Sequence, residues 1–494
     1  MPKQVKTRFA PSPTGYLHVG GLRTALYSYL YAKKHNGTFL LRIEDTDQKR
    51  FVEGAAESLM GVLKFFDLNW DDGPYYQSQR SEIYKGYAQK LLDDGKAYHC
   101  FCTPERLDQM RKDQQARKQM PKYDRHCLSL SPEEVQTRIA TGEKHVIRQL
   151  IPDEELNFHD EIRGDMSFHG KDVDDQVLMK SDGLPTYHLA NVVDDHEMEV
   201  THVIRGEEWL PSTPKHVWLY KALGWEPPVF AHIPLLLNPD KTKLSKRQGD
   251  VAAEDYIKKG YLKEAMINFI AFLGWNPGSE REIFSLAELI QEFSLERVHK
   301  GGAVFNAEKL DWLNGHYIRE KSATDLAKML LPELKKASDY GKKLTNLSEE
   351  DLEEGISELA NDLIKYTACI QTRMKTMLDG PAMLRPFLLD ELKYDLELFP
   401  HKKMKIDKAM AIMALENSLP ILEALENYFD EEPIKEALFA LIQKMGVKNG
   451  QVLWPIRIAL SGKKFTPGGA FEIANILGQE ESRQRLKIGA EKLT

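Results

Sequence analysis

The chain has 494 residues and a formal net charge of −8, from 67 basic and 75 acidic side chains. This length predicts three or more domains, and the net acidity argues against nucleic-acid binding unless basic residues cluster locally. The chain has four cysteines, no long apolar run and no apolar stretch near its first residue, so we expect a cytoplasmic protein without disulfides or a membrane span.

The beginning of the chain predicts a parallel α/β sheet. Residues 5–9 alternate like a short strand, residues 11–21 are rich in Pro, Gly, Ser and Thr and predict a loop, and residues 22–34 have helical character. Residues 38–43 form an apolar run that predicts a second strand. This β-loop-α-β order is typical of an α/β domain with parallel strands.

After these elements the chain changes in character, and residues 98–186 predict an insertion into the sheet domain. The later predicted elements are a charged helix at 103–119, strand-like segments at 187–193 and 200–205, a charged loop at 241–250, and helices from about 262 onward. Within the helical part, breaks are predicted at prolines such as Pro332, Pro386, Pro433 and Pro467.

The loop at residues 11–21 contains His18-Val19-Gly20-Gly21 between a predicted strand and a predicted helix. Such a position offers backbone N–H groups and the positive end of a helix dipole, both of which suit phosphate. The glycines allow a ligand to approach the backbone, and His18 can donate to phosphoryl oxygens. An alternative interpretation is a structural turn with a capping histidine, because so short a pattern recurs by chance.

A second segment, residues 241–247, contains four cations in seven residues: Lys241, Lys243, Lys246 and Arg247. Lysines on a mobile loop can neutralise the charge of a phosphoryl group while it is transferred. Taken alone, the segment is equally well interpreted as a solvated surface loop, which is what most basic loops are.

Together, the two segments resemble the two signature motifs of the class I aminoacyl-tRNA synthetases, known as HIGH and KMSKS. The second motif differs from the usual form at Leu244 and Arg247. The resemblance implies an ATP site made by Thr14, His18, Gly20, Gly21 and Lys246, and catalytic roles for His18, Lys243 and Lys246. Lys246 would stabilise the α-phosphate as pyrophosphate leaves, and closure of its loop would account for the loop's flexible composition.

Longer segments resemble the bacterial-type glutamyl members of this family. They are residues 8–15, 42–47, 185–196, 203–215 and 305–314. Glutaminyl members usually have Pro-Glu-Pro-Asn where this chain has Pro-Ser-Pro-Thr at residues 11–14. The resemblance implies activation of L-glutamate by ATP with Mg²⁺, and transfer to the 3′ end of tRNA(Glu) with release of AMP and pyrophosphate. Whether tRNA(Gln) is also charged stays open.

The same resemblance implies a Rossmann-type parallel-sheet catalytic domain, an inserted domain that binds the tRNA acceptor end, and a mainly α-helical anticodon-binding half. The implied boundaries are 1–97 and 187–250 for the catalytic domain, 98–186 for the insertion, 251–321 for a stem-contact helical domain and 322–494 for the anticodon-binding region. In that last region, basic residues surround Trp454 and Phe465, whose rings are candidates for stacking on bases. The family default is a monomer.

Free glutamate has two carboxylates and one ammonium, so its site needs two cations and one acceptor. Arg8 and Arg205 satisfy the first need, and Glu44, at the end of a predicted strand, satisfies the second. The resemblance places Arg8, Tyr187 and Asn191 at the side-chain carboxylate, Arg205 at the α-carboxylate and Glu44 at the ammonium, with Ala10 and Ser12 nearby. The two arginine roles can be exchanged. Each residue alone also fits an internal ion pair or a satisfied core polar group.

Three cysteines resemble part of a zinc site found in some family members: Cys100, Cys102 and Cys127. That pattern ends in a His or Tyr two residues after the third cysteine, where this chain has Ser129, a poor zinc ligand. His126 and His99 are alternatives for the fourth ligand, although each adjoins a cysteine. The expectation is either a structural Zn²⁺ or three reduced cysteines that behave as small hydrophobes.

Other classes of protein agree less well with the sequence. A nucleotidyltransferase that activates a small molecule needs neither the long helical half nor Arg8, Glu44 and Arg205 together. A short paralogue that glutamylates a modified tRNA base lacks the region beyond residue 321. A non-catalytic RNA-binding relative has no need of intact His18 and Lys246.

Overall fold

A computed structural model of the chain describes residues 3–47, 50–244, 252–428 and 430–494. The chain divides into two compact units, one made of Met1–Lys258 with Lys263–Ala307 and the other of Lys259–Leu262 with Glu308–Thr494. Within the described ranges, every helix falls short of the length and hydrophobicity that a membrane crossing requires.

The first unit contains all the strands found in the described residues. They are β1 (Lys6–Phe9), β2 (Thr38–Ile43), β3 (Asp72–Tyr76), β4 (Ala97–Cys100), β5 (Val146–Gln149), β6 (Glu155–Asp160), β7 (Gly164–His169), β8 (Val177–Met179), β9 (His202–Gly206), β10 (Val229–Ile233), β11 (Leu236–Leu237) and β12 (Ala303–Val304). The helices are α1 (Val19–Lys34), α2 (Ala55–Phe65), α3 (Ser81–Asp93), α4 (Pro104–Ala116), α5 (Pro132–Ala140), α6 (Tyr187–Glu197), α7 (Thr213–Leu223), α8 (Ala253–Lys258), α9 (Lys263–Ala271) and α10 (Leu286–Glu292).

The main sheet has the strand order β3-β2-β1-β9-β10-β6-β7, in which only the pair β6 and β7 is antiparallel. Its central strands are buried on both faces, and Phe39, Leu40 and Leu41 of β2 have no exposed surface. Continuous apolar runs of this kind are expected in parallel sheets that helices cover on both sides. The predicted parallel sheet is confirmed: β1 begins one residue later than predicted, and β2 has the predicted bounds.

Residues 98–186 contribute to two different sheets. β4, β5 and β8 form a separate three-stranded antiparallel sheet, and α4 and α5 lie in the same stretch of chain. β6 and β7 instead extend the main sheet, where Asp160 at the end of β6 pairs with Phe230 of β10. The segment therefore places Asp160 within the main sheet, beside β10.

The prediction of a strand at residues 187–193 was wrong, because these residues begin the helix α6. Seven consecutive residues of α6, from Leu189 to Asp195, are buried. A short apolar run that is buried on all sides has no amphipathic period, so its sequence does not distinguish a strand from a helix. The helix matters for function because Tyr187, Asn191 and Asp195 all belong to it.

The second unit is helical, as predicted. Its helices are α11 (Ala307–Glu320), α12 (Ala323–Lys335), α13 (Glu349–Glu354), α14 (Glu358–Gln371), α15 (Asp379–Leu388), α16 (Lys408–Glu423), α17 (Glu431–Met445), α18 (Asn449–Ser461) and α19 (Ala470–Leu493). The predicted breaks at Pro332 and Pro386 were wrong, since both prolines lie inside helices. In α12, burial of Leu326, Leu330 and Leu334 outweighs the cost of about 3 kcal/mol for one proline.

Candidate active site

A cavity of about 980 Å³ opens at the carboxyl ends of β1, β2 and β9, the edge at which ligands bind in open α/β sheets. The predicted site residues that line it are Arg8, Ala10, Ser12, His18, Gly20, Gly21, Glu44, Tyr187, Arg205 and Lys243. β1 and β9 are neighbouring strands, so the sheet brings Arg8 and Arg205 together although they are far apart in sequence.

Two of the predicted ATP- and glutamate-site residues that the structure describes, Thr14 and Asn191, do not line this cavity. Thr14 is exposed, and its N–H donates to the carbonyl oxygen of Ser12 at 2.9 Å. Asn191 is buried, with 3 % of its surface exposed, and its Oδ1 accepts hydrogen bonds from Arg8 and Arg42. Lys246 lies outside the described residues, so its role rests on the sequence alone.

His18 caps the amino end of α1, and its Nδ1 accepts a hydrogen bond from the N–H of Gly20 at 2.9 Å. Because Nδ1 accepts, the proton of a neutral ring lies on Nε2. A Cβ at Gly20 would lie 3.2 Å from His18 Nδ1, so glycine leaves the cap undisturbed. The first turn of α1 has no acidic residue, and its positive end is suited to an anion. The capping histidine is therefore present, with Nε2 as the ring's donor.

Five buried side chains at one side of the cavity share their charges and hydrogen bonds. We call them the paired-charge cluster: Arg8, Arg42, Glu44, Asn191 and Asp195. Asp195 Oδ1 accepts from Arg8 Nε at 3.1 Å and from Arg42 Nη1 at 2.8 Å. Asn191 Oδ1 accepts from the same two arginines, at 3.3 and 3.2 Å. Arg42 Nη2 also donates to Glu44 Oε1 at 3.3 Å.

The acids of this cluster have opposite pKa shifts. Burial raises the pKa of Glu44 to about 7, although Arg42 and Arg8 oppose the shift. Burial would also raise the pKa of Asp195, but the charges of Arg8 and Arg42 outweigh it and hold that pKa below its usual value. Asp195 is therefore a permanent anion that neutralises arginine, whereas Glu44 changes its charge near neutral pH.

Arg205 lies on β9, the strand next to β1, among acceptors that carry no charge. We call its contacts the neutral-acceptor cluster: Tyr187, Thr213, His216 and His232. Arg205 Nε donates to His232 Nε2 at 3.0 Å, and Nη2 donates to Thr213 Oγ1 at 2.9 Å. Nη1 donates to Tyr187 Oη at 3.1 Å and to His216 Nδ1 at 3.3 Å. Among the residues described, no carboxylate lies within 4.0 Å of this buried guanidinium.

Sequence reasoning assigned no role to Arg42, Asp195, His216 or His232. The sequence did contain one indication of the role of Asp195. Asp194 and Asp195 directly follow the mostly apolar residues 189–193, and acids that are buried need cationic partners. His216 and His232 had no comparable signal. They reach Arg205 from α7 and β10, so only the fold brings them together.

The three predicted cysteine ligands do converge, with their sulfur atoms within 4.8 Å of one another. Tyr123, which the sequence analysis missed, places Oη 3.3 Å from the sulfurs of Cys100 and Cys102 and accepts from the N–H of Cys127 at 3.1 Å. The hydroxyl of Ser129 instead donates to a backbone carbonyl, and the ring of His99 packs against that of His145.

The two aromatic residues predicted to stack on bases differ in exposure. Phe465 is 84 % exposed, and Lys464 Nζ lies 5.8 Å from its ring centroid. Trp454 is buried, its Nε1 donates to the carbonyl oxygen of Leu398 at 3.0 Å, and Arg457 covers its ring. Of the two rings, Phe465 presents a surface to a partner.

Comparison with protein families finds two matches. The family described as tRNA synthetases class I (E and Q), catalytic domain, matches residues 4–312, and the anticodon binding domain family matches residues 325–490.

Similar proteins match along the whole chain. A glutamate–tRNA ligase from Clostridium botulinum (strain Loch Maree / Type A3) is 50 % identical over 502 residues, covering 100 % of this chain and 99 % of that protein. One from Clostridium tetani (strain Massachusetts / E88) is 48 % identical, covering 99 % and 98 %. A crystal structure of a glutamate tRNA ligase from Elizabethkingia meningosepticum in complex with its amino acid has a TM-score of 0.85 and 37 % identity, covering 100 % of both chains.

Proposed function

The chain belongs to the class I tRNA synthetases (E and Q), and we propose that it ligates L-glutamate to the 3′ end of tRNA(Glu). ATP is the second substrate, and AMP and pyrophosphate are released. The observation that carries this proposal is the charge pattern of the cavity wall, where the buried guanidinium groups of Arg8 and Arg205 and the buried carboxylate of Glu44 face the same space. A third buried guanidinium in the wall, that of Arg23, donates to the backbone carbonyl oxygens of Leu273 and Pro234. Glutamate has the complementary pattern of two carboxylates and one ammonium.

Glutamate binds between the two clusters. Arg205 binds one carboxylate, because four of its five N–H groups have protein acceptors and its charge has no adjacent counter-ion among the described residues. Arg8 binds the other carboxylate while Asn191 and Asp195 hold its guanidinium in place. Glu44 binds the ammonium.

The two carboxylates can be assigned to the two arginines. We assign the α-carboxylate to Arg205 and the side-chain carboxylate to Arg8, with Ala10 and Ser12 beside them in the wall. Tyr187 contacts Arg205 and none of the Arg8 donors, so its hydroxyl belongs with the α-carboxylate rather than with the side-chain carboxylate.

Adenylate formation takes place beside the amino end of α1. The α-carboxylate of glutamate attacks the α-phosphorus of ATP, and pyrophosphate leaves. His18 Nε2 and the N–H of Gly21 stabilise the phosphate oxygens, the N–H of Gly20 holds the His18 ring in place, and the α1 dipole adds to their field. Lys243, at the cavity wall, neutralises part of the leaving charge. From the sequence we give the same role to Lys246 and place Thr14 at the triphosphate.

The second step transfers glutamate from the adenylate to the 3′-terminal ribose hydroxyl of the tRNA. Mg²⁺ accompanying ATP would be held mainly by phosphate and water oxygens, so we assign it no protein ligand. The helical unit binds the anticodon, with the exposed Phe465 stacking on a base. We place the enzyme in the cytoplasm as a monomer.

We assign a structural Zn²⁺ to Cys100, Cys102, Cys127 and the phenol oxygen of Tyr123. Three thiolates and one oxygen form a four-ligand set of the kind that structural zinc accepts. The positions fit, because Tyr123 Oη already contacts two of the sulfurs and the N–H of Cys127. Such an ion would join β4 to the loop before α5 and supply bracing without taking part in the reaction.

Pyrophosphate exchange with each of the twenty amino acids, followed by tRNA charging, tests the proposed function. We expect ³²P exchange between pyrophosphate and ATP with glutamate alone among the amino acids, and only when tRNA is present. Purified tRNA(Glu) and tRNA(Gln) in parallel show which acceptors are charged. Exchange with a non-amino-acid carboxylate, or rapid exchange without glutamate, would point instead to a nucleotidyltransferase.

A further inference from the structure

The acceptors around Arg205 are organised by a second layer of buried groups. His232 Nδ1 lies 2.6 Å from Asp160 Oδ2, and both residues are fully buried. Asp160 is held in turn by the N–H groups of Ile162 and Arg163, at 3.1 and 2.8 Å from its other oxygen. On the opposite side, His216 Nε2 lies 2.9 Å from His188 Nδ1.

These contacts dictate where the protons of the two histidines lie. An ionised carboxylate only accepts, so His232 must carry its proton on Nδ1 and present the lone pair of Nε2 to Arg205. A guanidinium only donates, so His216 must accept through Nδ1 and donate from Nε2 to His188. Both rings are therefore held in the tautomer that can accept from Arg205.

The rings also stay neutral at physiological pH. Burial lowers the pKa of His232 and of His188 to about 4, and burial with the Arg205 charge lowers the pKa of His216 well below its usual value. A protonated ring here would place a second cation against Arg205. The surroundings thus accept hydrogen bonds from Arg205 without neutralising its charge.

We propose that Asp160, His232 and His216 are positioning residues, which orient Arg205 through uncharged acceptors and so reserve its charge for the substrate carboxylate. An aspartate in direct contact would orient Arg205 equally well but would compete with glutamate for its charge. Asp160 avoids this competition because the imidazole of His232 separates it from the guanidinium. The inference rests on the proposed function, since it assumes that Arg205 binds glutamate.

Substitutions of Asp160 and of His232 test the chain of contacts that runs from Asp160 through His232 to Arg205. In Asp160→Asn, the new amide N–H₂ favours the opposite tautomer of His232, which turns a donor toward the Arg205 N–H. In His232→Leu, the acceptor is lost, whereas His232→Gln keeps an oxygen that can accept from Arg205. The matched control is Asp165→Asn, because Asp165 and His159 form an exposed pair with the same 2.6 Å contact, between β6 and β7.

The measurement is the steady-state charging of tRNA(Glu) with glutamate and ATP varied separately, on full-length variants whose thermal unfolding has been checked. We expect Asp160→Asn and His232→Leu to raise KM for glutamate roughly 10- to 100-fold, the scale of one hydrogen bond to a charged group. KM for ATP should stay within about twofold of the native value, His232→Gln should recover most of the loss, and Asp165→Asn should behave as the native enzyme.

Two results would overturn the inference. The first is a native KM for glutamate in both Asp160→Asn and His232→Leu. The second is a parallel rise in both KM values that His232→Gln does not reduce, which would indicate general loosening of the fold. Failure of the native chain to charge glutamate at all would instead reject the proposed function, so the two failures are distinguishable.

Discussion

Arg8 and Arg205 are 3 % and 4 % exposed and line the same cavity, yet their charges are balanced in different ways. Arg8 contacts the carboxylate of Asp195, which it shares with Arg42, so its charge is compensated before any ligand binds. The Arg205 guanidinium donates to a phenol, a hydroxyl and two imidazoles, all of which are uncharged. A buried charge requires a counter-charge, and for Arg205 the substrate is the candidate that remains.

This difference implies separate roles for the paired-charge cluster and the neutral-acceptor cluster. The paired-charge cluster stabilises the fold as well as serving the proposed binding, because each of its charges has an internal partner. The neutral-acceptor cluster holds a cation whose stabilisation is completed by the ligand. Under the proposed function, glutamate meets one cluster whose charges are balanced within the protein and one arginine whose charge the substrate balances.

The largest expected effect is the loss of Arg205. Arg205→Gln should lower kcat/KM for glutamate by roughly 10²- to 10³-fold, because a substrate carboxylate is left buried without a cation. Arg205→Lys should also fail, since an ammonium cannot match the fork that Tyr187, Thr213 and the two histidines hold. Steady-state charging measures both variants. Near-native kinetics of the lysine variant would mean that Arg205 does not bind substrate.

Arg8→Gln should cost less activity and more stability. We expect a loss in kcat/KM for glutamate of roughly 10-fold to 10²-fold, and a drop in the free energy of unfolding of at most about 3 kcal/mol, because Asp195 keeps its bond to Arg42. Urea unfolding of Arg8→Gln beside Arg205→Gln provides the comparison. A larger loss of stability in Arg205→Gln than in Arg8→Gln would contradict the conclusion that the paired-charge cluster is the one that stabilises the fold.

The pH dependence of glutamate use should report on Glu44. Its pKa of about 7 means that it is ionised above that pH and neutral below it, and only the ionised form attracts the ammonium. The pKa of Arg42 is raised by its acidic neighbours and the pKa of Asp195 is lowered by its arginines, so both groups keep their charges in this range. Lowering the pH from 8 to 6 should therefore reduce kcat/KM for glutamate about tenfold.

The matched variant for this titration is Glu44→Gln, which should give a low rate that does not change between pH 6 and pH 8. KM for ATP, measured over the same range, controls for general effects of pH on the enzyme. A native pH profile that is flat between 6 and 8 would show that Glu44 does not titrate there or does not meet the ammonium.

The smallest effect on charging is expected at the cysteine cluster, whose residues line neither side of the cavity in the described part of the chain. Cys102→Ser should remove one Zn²⁺ per chain and reduce charging only a few-fold, because the proposed ion would brace the fold without taking part in the chemistry. Elemental analysis of protein purified without chelator measures the metal. A native chain that is fully active without zinc would rule the site out.

Ten of the sequence-predicted residues line the cavity, and the reason is that they belong to short continuous motifs. His18, Gly20 and Gly21 follow one another at the start of a helix, so local chain geometry alone places them at its amino end. Arg8, Glu44 and Arg205 lie at the carboxyl ends of strands, and parallel strands bring those ends to one edge.

Predictions failed where burial overrode local preference. Residues 187–193 form a helix because a segment buried on every side has no periodic pattern to read. Pro332 lies within α12 because the buried leucines of that helix stabilise it by more than one proline costs. In both places the helix is stabilised by packing against other segments of the chain. The local sequence carries no information about those segments.

By itself, the sequence determined the parallel sheet, the helical second unit, and the glycine-containing turn at the amino end of α1. Only the tertiary structure decided which partner each buried charge would meet. Asp195 and Asn191 reach Arg8 from α6, Asp160 arrives from β6, and Tyr123 reaches the cysteines from a loop. Hydrogen bonds and ion pairs depend on the distance between atoms in space, and separation along the chain does not predict that distance.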